Sequence, residues 1–184
     1  MKATGIVRRI DDLGRVVIPK EIRRTMRIRE GDPLEIYTEK DGEVIFKKYS
    51  PMGELSSVAA SMSETLYKTV GCGVAITDRD SYIAVCGAPK REVIDKRISQ
   101  ELEQIMEGRS IYQRKSGTRA IPLTEDNDSR IIGTAAPIIS EGDVMGCLVL
   151  FSDDDKIMGE LEQKLAQTVS GFLGKQMESL FKPT

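Results

Sequence analysis

Histidine and tryptophan are absent from this 184-residue sequence, and aromatic residues make up only 5% of it. Without histidine, the chain cannot build a Ser–His or Cys–His nucleophile pair, a histidine-ligated zinc site or a histidine-ligated haem. A Gly-rich phosphate loop of the Walker type is also missing from the sequence. We therefore expect a protein that is not an enzyme and that needs no cofactor or metal.

Long hydrophobic runs are missing as well. The longest, Val144–Phe151, has eight residues including one glycine, which suits a buried strand and is far too short to span a membrane. The chain opens without the apolar stretch of a secretory signal, and its three cysteines are an odd number without CxxC spacing. These features predict a cytoplasmic protein with reduced thiols and no membrane partner. The cysteines, expected to be buried structural thiols, are Cys72, Cys86 and Cys147.

Positive charge is concentrated at the start of a chain that is slightly acidic overall. Residues 1–29 contain nine Lys or Arg and three Asp or Glu, a net charge of +6, whereas the whole chain carries −2. Such a local excess of basic residues suits a polyanion, and the phosphate backbone of double-stranded DNA is the candidate partner. Taken alone, the same charges could equally form a solvated surface.

The first 50 residues are predicted to form four short strands and one short helix. Thr4–Ile10 and Arg15–Ile18 are the first two strands, joined by a turn rich in Asp and Gly. Pro19 is expected at the first position of the helix, and the Asp-Gly pair at 41–42 predicts a hairpin. A unit this small has too few large apolar residues to bury a core unaided, so we expect it to dimerise.

The motifs of this segment resemble the AbrB-type swapped-hairpin DNA-binding domain. The resemblance is carried by residues 4–10, 13–19 and 21–24, and it extends through 34–37 to 47–49. It implies that two protomers wrap their hairpins around each other into a homodimer that presents arginines to DNA. The positions that match the DNA-contacting arginines of the family are Arg8, Arg15, Arg23 and Arg24. Additional phosphate contacts are expected from Lys2 and Arg9.

Residues 51–53 are interpreted as a linker and residues 54–184 as a second domain. Apolar residues at helical spacing predict helices over 54–70, 91–107 and 154–181, the last with an acidic start at Asp153 rather than a metal site. Strands are predicted at 74–77, 82–86, 110–113, 120–123, 131–139 and 144–151. The apolar stripes of the first and last helices are interpreted as an interface between copies, so the chain is expected to form a homotetramer.

This succession of helices and strands, a sheet flanked by helices, resembles a GAF-type sensor domain, with a PAS topology left open. The fold class is therefore α+β: a swapped-hairpin, β-rich dimerisation and DNA-binding domain followed by a GAF-like α/β domain. The GAF resemblance implies either an unidentified small-molecule ligand or a role in tetramer assembly alone.

The combination over the whole length resembles a family of regulators from spore-forming bacilli. It implies a DNA-binding transcriptional regulator that activates some sporulation genes and represses others in the forespore. The alternative is an antitoxin of a toxin–antitoxin pair with the same swapped-hairpin fold. Antitoxins of that kind usually carry a short flexible tail, whereas residues 51–184 are expected to fold.

Overall fold

The computed structural model describes residues 5–124, 127–154 and 156–181, which group into two compact units. Unit 1 is Met1–Tyr49 and unit 2 is Ser50–Thr184. Unit 1 contains helix α1 (Lys20–Thr25) and an antiparallel hairpin of strands β1 (Leu34–Thr38) and β2 (Val44–Lys48). The connection between the two strands contains Gly42, which has a φ of 80°, a left-handed conformation that suits glycine. The predicted hairpin at the Asp-Gly pair is confirmed.

The segment before α1 differs from the prediction. Residues 5–19 contain no strand in the part of unit 1 that the structure describes, so the strands predicted at 4–10 and 15–18 are wrong for the single chain. A strand requires a neighbour that accepts and donates its backbone hydrogen bonds, and apolar patterning does not say which chain supplies that neighbour. Helix α1 begins at Lys20, one residue later than predicted, so Pro19 is its N-cap residue and not its first helical residue. The Pro19 carbonyl accepts a hydrogen bond from the amide of Arg23.

Unit 2 is a six-stranded antiparallel sheet with helices on both faces. The strand order is β4-β3-β8-β7-β5, and β6 also pairs with β7. The strands are β3 (Gly73–Thr77), β4 (Tyr82–Cys86), β5 (Tyr112–Gln113), β6 (Pro122–Thr124), β7 (Asn127–Ser140) and β8 (Asp143–Ser152). The helices are α2 (Pro51–Glu54), α3 (Ser56–Val70), α4 (Lys90–Val93), α5 (Gln100–Glu107) and α6 (Glu160–Phe181). In the described ranges, no helix is long and apolar enough to cross a membrane.

Two apolar cores lie on opposite faces of this sheet. Helices α3 and α6 cover one face and α4 and α5 the other. Alternate residues of β8 contribute to the two cores, with Leu148 and Leu150 facing α3 and α6, and Val149 and Phe151 facing the other side. Burial on both faces explains the uninterrupted apolar run in this strand.

Helix α6 approaches β7 very closely at one point. Gly174, in the second half of α6, lies against the backbone of Ile139, and a Cβ atom added to the glycine would overlap the carbonyl oxygen of Ile139. The absence of a side chain therefore permits helix and sheet backbones to touch.

The start of unit 2 also departs from the prediction. The segment expected to be a linker forms α2, and Met52 is fully buried in the core beneath α3 and α6. The Ser50 hydroxyl donates a hydrogen bond of 2.9 Å to Asp78 in the β3–β4 turn. Proline at the first helical position and the buried methionine account for a helix where turn-forming residue types suggested a linker.

Two of the helices predicted for unit 2 have different bounds. The helix expected over 91–107 is divided into α4 and α5, because Asp95 has a φ of 63° and the Ser99 hydroxyl caps a new helix by accepting from the amide of Leu102. The final helix begins at Glu160 instead of 154. Asp153 therefore lies ahead of it and contacts Arg130, with 3.5 Å between Oδ1 and Nε.

Candidate nucleic-acid interface

The arginines predicted to contact DNA lie in the segment before α1 and on α1 itself. Arg8 and Arg9 are exposed in the segment before α1. Arg15 is also exposed, and it directly follows the turn at residues 11–14 in the middle of that segment. On α1, Arg24 is exposed and Arg23 is half-buried. Lys2, the remaining predicted contact, lies outside the described residues.

Asp11 holds the turn that carries Arg15. Its Oδ1 accepts hydrogen bonds from the amides of Leu13 and Arg15, at 3.0 and 2.8 Å, and its Oδ2 accepts from Arg15 Nε at 2.8 Å. The amide and the side chain of Arg15 lower the pKa of the Asp11 carboxyl. The Arg15 side chain nevertheless remains 68% exposed, so its guanidinium is oriented by one nitrogen and still accessible to a ligand.

The end of α1 is closed by backbone bonds to its two arginines. The Arg27 amide donates to the carbonyl of Arg24 at 3.2 Å, and the Ile28 amide donates to the carbonyl of Arg23 at 2.7 Å. Arg27 has a φ of 51°, the left-handed conformation typical of a helix C-terminus. The chain reversal after α1 is therefore built on the two residues predicted to contact DNA.

A polar network connects this reversal to the hairpin. Lys48 at the end of β2 donates from Nζ to the carbonyl of Arg27 at 3.0 Å, and the same nitrogen lies 3.7 Å from Asp32 Oδ2. That oxygen also accepts from the amide of Arg29 at 2.8 Å, and the Asp32 side chain is only 5% exposed. Sequence reasoning missed both Asp11 and this network. The four-residue spacing of Asp11 and Arg15 is a usable signal, whereas Asp32 and Lys48 meet only through the fold.

Apolar side chains in the segment before α1 face solvent in the single chain. Among the large hydrophobic residues that the structure describes, Val7 has the highest exposure, at 90%. Three further residues of this segment are about 70% exposed, namely Ile10, Leu13 and Val17. A contiguous segment with this much exposed apolar surface is typical of a protein–protein interface.

Unit 2 contains a surface cavity of about 640 Å³ between α3, the edge strand β4 and α4. Glu64 and Lys68 of α3 form an ion pair of 2.6 Å at this cavity, which lowers the pKa of Glu64 and raises that of Lys68. Cys86 lies at the same cavity and is half-buried, so the expectation of burial is confirmed only for Cys72 and Cys147. Burial raises the pKa of both of those thiols.

Comparison with known proteins matches both parts of the chain. A family model described as "Stage V sporulation protein T C-terminal, transcription factor" matches residues 54–178. A second, described as "Antidote-toxin recognition MazE, bacterial antitoxin", matches residues 7–53. Over 182 residues the chain is 53% identical to stage V sporulation protein T of Bacillus subtilis (strain 168), a match that covers 97% of this chain and 99% of that protein.

Two further similarities concern one part of the chain each. The transition state regulatory protein AbrB of the same bacterium is 63% identical over 51 residues, which is 28% of this chain and 52% of AbrB. The GAF domain of a phosphoenolpyruvate-protein phosphotransferase from Coxiella burnetii is only 15% identical, but it superposes with a TM-score of 0.54 over 68% of this chain and 83% of that domain. The predicted α+β fold is thus confirmed, with a GAF fold for unit 2, and the chain belongs to the stage V sporulation protein T family of transcription factors.

Proposed function

We propose that this protein is a transcriptional regulator of sporulation genes that binds double-stranded DNA through a homodimer of unit 1. The supporting observation is the surface of unit 1, where Arg8, Arg15 and Arg24 are exposed in the basic segment of the sequence. Similarity to stage V sporulation protein T over nearly the whole chain supports the biological role. Activation of some genes, repression of others, action in the forespore and a cytoplasmic location are parts of the same proposal.

The exposed apolar segment supports the dimer. Val7, Ile10, Leu13 and Val17 leave the equivalent of about three whole side chains in water, and burial of one such side chain contributes about 2 kcal/mol. Two protomers that pair their segments would bury this surface twice and supply the strand neighbours that residues 5–19 lack in the described single chain. The dimer would also double the number of arginines available to one DNA duplex.

The salt dependence of binding tests the placement of the DNA surface. Four arginines in each of two protomers could neutralise about eight phosphates, which predicts a slope of roughly −7 for log affinity against log salt. Arg23→Ala in the full chain should flatten that slope by about two units, because both copies are lost. Binding of a fluorescently labelled mixed-sequence duplex can be measured by anisotropy over a range of salt concentrations.

The matched control is Arg119→Ala in unit 2, because the Arg119 side chain is 90% exposed and its removal changes the net charge equally. We expect this variant to bind as the unmodified protein does. The four predicted DNA-contacting arginines, Arg8, Arg15, Arg23 and Arg24, can also be replaced together by alanine. Unchanged affinity of that variant at ~150 mM salt would show that the DNA surface is elsewhere.

The antitoxin alternative is supported by the family match to residues 7–53 only. Unit 2 has two apolar cores of its own, unlike a short flexible tail. Limited proteolysis distinguishes the alternatives. A resistant fragment of about 130 residues agrees with the regulator, and progressive digestion of everything after unit 1 agrees with the antitoxin.

Unit 2 is proposed to assemble dimers into a homotetramer. The outer side of α6 exposes Leu161, Phe172 and Leu180 over its whole length, and this stripe suits a helix-bundle contact with a second copy. Light scattering on the full chain should give the mass of four subunits. Phe172→Ser should reduce it to two, and a mass of four subunits in this variant would contradict the assignment of the stripe.

We also propose that unit 2 responds to an unidentified small molecule and alters DNA binding by unit 1. Couplings of this kind are typically ~1–3 kcal/mol, a change of about 5–150-fold in affinity. Native mass spectrometry of protein from sporulating cells would reveal a bound mass. Coupling between the units can be tested with a flexible Gly/Ser insertion after Tyr49. The insertion is placed there because Ser50 already bonds to Asp78 of unit 2 and Met52 is buried in the core of unit 2. A bound molecule that changes DNA affinity equally with and without the insertion would contradict coupling through this junction.

A further inference from the structure

Arg15 differs from the other predicted DNA-contacting arginines because a carboxylate lies beside its guanidinium. Asp11 Oδ2 accepts a hydrogen bond of 2.8 Å from Arg15 Nε. Among the residues that the structure describes, no carboxylate pairs with the side chains of Arg8, Arg23 or Arg24. A guanidinium with an acidic neighbour suits a different contact from one without.

The pair is a local feature of the chain, fixed by bonds in both directions between the two residues. The Asp11 amide donates to the Arg15 carbonyl at 3.0 Å, and the Arg15 amide donates to Asp11 Oδ1 at 2.8 Å. The Gly14 amide closes the turn by donating to the Asp11 carbonyl at 3.0 Å. Because each of these bonds lies within residues 11–15, the pair forms without help from any other part of the chain.

The bond to Asp11 determines which edge of the Arg15 guanidinium is available to a ligand. A guanidinium donates through Nε and two terminal nitrogens in one plane, and Asp11 occupies Nε. In the described part of the chain neither terminal nitrogen has a partner, and the side chain is exposed. Two parallel donors of this kind match O6 and N7 of a guanine in the major groove of DNA.

The charge of Asp11 favours a base over a phosphate as the partner. The carboxyl is ionised at neutral pH, because its bonds to Arg15 lower its pKa below the ordinary 3.8. The pair therefore carries no net charge, and its carboxylate would repel a phosphate that approached the guanidinium. The edge of a guanine is uncharged, so it can accept the same two hydrogen bonds without that repulsion. Arg8, Arg23 and Arg24 have no such neighbour and suit phosphates.

We propose that Arg15 is the specificity-determining arginine of unit 1, which binds a guanine in the major groove, and that Asp11 is its positioning residue. This inference rests on the proposed function of unit 1 as a DNA-binding dimer. It changes the expected salt dependence, because base contacts by both copies of Arg15 leave about six phosphate contacts in place of about eight. The slope of log affinity against log salt then becomes roughly −5.

Modified guanines test the base contact in the full-length protein. Duplexes are first selected from a random pool by binding to the unmodified protein. Their guanines are then replaced by 7-deazaguanine, which lacks the N7 acceptor, or by hypoxanthine, which lacks only the amino group in the minor groove. We expect 7-deazaguanine to lower the affinity on the order of tenfold and hypoxanthine to have little effect. Arg15→Ala should bind the guanine and 7-deazaguanine duplexes equally.

Asp11→Asn separates the positioning of Arg15 from the folding of the turn. Asparagine keeps an oxygen that accepts from the amides of Leu13 and Arg15, but its amide nitrogen cannot accept from Arg15 Nε. The guanidinium then carries an uncompensated charge that can bind phosphate. We expect higher affinity for the random pool, a slope steeper by about two units and a smaller effect of 7-deazaguanine.

Asp12→Asn is the matched control for this substitution. Asp12 is the next residue, it is exposed, and its side chain makes no hydrogen bond or ion pair within the described ranges. The substitution removes the same charge from the same turn. We expect it to leave the slope and the preference for guanine unchanged.

Several results would overturn the proposal. They are equal binding of guanine and 7-deazaguanine duplexes by the unmodified protein, an undiminished preference for guanine in Arg15→Ala, and identical effects of Asp11→Asn and Asp12→Asn. A lower affinity of Asp11→Asn for every duplex would assign Asp11 to folding alone. Failure of the proposed function looks different: the unmodified protein would show no salt-dependent binding to any duplex, and the random pool would yield no selected sequences.

Discussion

Val7 provides a test of whether the segment before α1 is an interface or a free surface. Its side chain is 90% exposed in the single chain. Val7→Thr keeps the branched shape and the preference for strands but replaces a methyl group by a hydroxyl. If the position stays in water, the free energy of unfolding should change by less than about 0.5 kcal/mol.

Dimerisation that buries Val7 predicts a much larger effect. An unpaired buried hydroxyl costs about 1–3 kcal/mol, and a two-fold interface contains two copies of it. The dimer should therefore be weakened by about 2–6 kcal/mol, which is a rise of about 30-fold to 10⁴-fold in the dissociation constant.

Sedimentation equilibrium of a fragment of residues 1–49 over a dilution series measures this constant directly. The fragment ends at Tyr49 because Met52 belongs to the core of unit 2. Far-ultraviolet circular dichroism at high concentration should be the same for both fragments, which controls for loss of fold. An unmodified fragment that is monomeric with native-like circular dichroism, or a Val7→Thr fragment with an unchanged dissociation constant, would refute the reasoning.

Three further predictions concern stability, pH and reactivity. Gly146→Ala should destabilise unit 2 by about 3 kcal/mol in urea unfolding, because the new Cβ would overlap the carbonyl oxygen of Thr77 on the adjacent strand. A change in the free energy of unfolding below the error of the fit would contradict the close approach of Gly146 to Thr77. The Asp11 carboxyl should titrate by NMR below its ordinary pKa of 3.8. Because the pKa is lowered in the folded state, the contribution of Asp11 to stability should be complete above pH 3.8 and lost as the pH falls through the folded-state pKa. Asp11→Asn should remove this pH dependence. A thiol reagent should modify the half-buried Cys86 first and Cys147 only on unfolding, because Cys147 is fully buried and burial raises its pKa, whereas equal rates would contradict the fold around β8.

The sequence predicts local features of this fold better than features that depend on distant partners. The hairpin at 41–42 and the apolar strand β8 follow from turn chemistry and from burial on two faces. The prediction of a single helix over 91–107 was wrong, because the apolar residues keep helical spacing through Asp95, where a positive φ interrupts the helix and separates α4 from α5. The strands expected at 4–10 and 15–18 do not form in the described chain, because periodicity identifies a strand without identifying its neighbour.

The candidate site shows the same division. Charge and motif are enough to propose the arginines of unit 1 from the sequence. The buried Asp32 and the Lys48 that contacts it are sixteen positions apart, and the β1–β2 hairpin, which pairs Leu34 with Lys48, brings them together. Neither residue type is unusual at its position, so no local signal marks the pair. The positive φ of Arg27 is likewise invisible in the sequence, because an arginine is not the residue type that predicts it.

The close approach of Gly174 to Ile139 has a mechanical consequence. The backbones of α6 and β7 are in direct contact at Gly174, so the residues on either side of the glycine flank the strand and fix the position of the helix along it. Sliding along the strand or rolling over it would first require the helix to lift off the sheet and expose the core around Leu173 and Met177. Helix and sheet consequently move as one piece. The helix that carries the exposed Leu161, Phe172 and Leu180 is therefore held rigidly on the sheet. A rearrangement on either face of the sheet would tilt α6 together with β7.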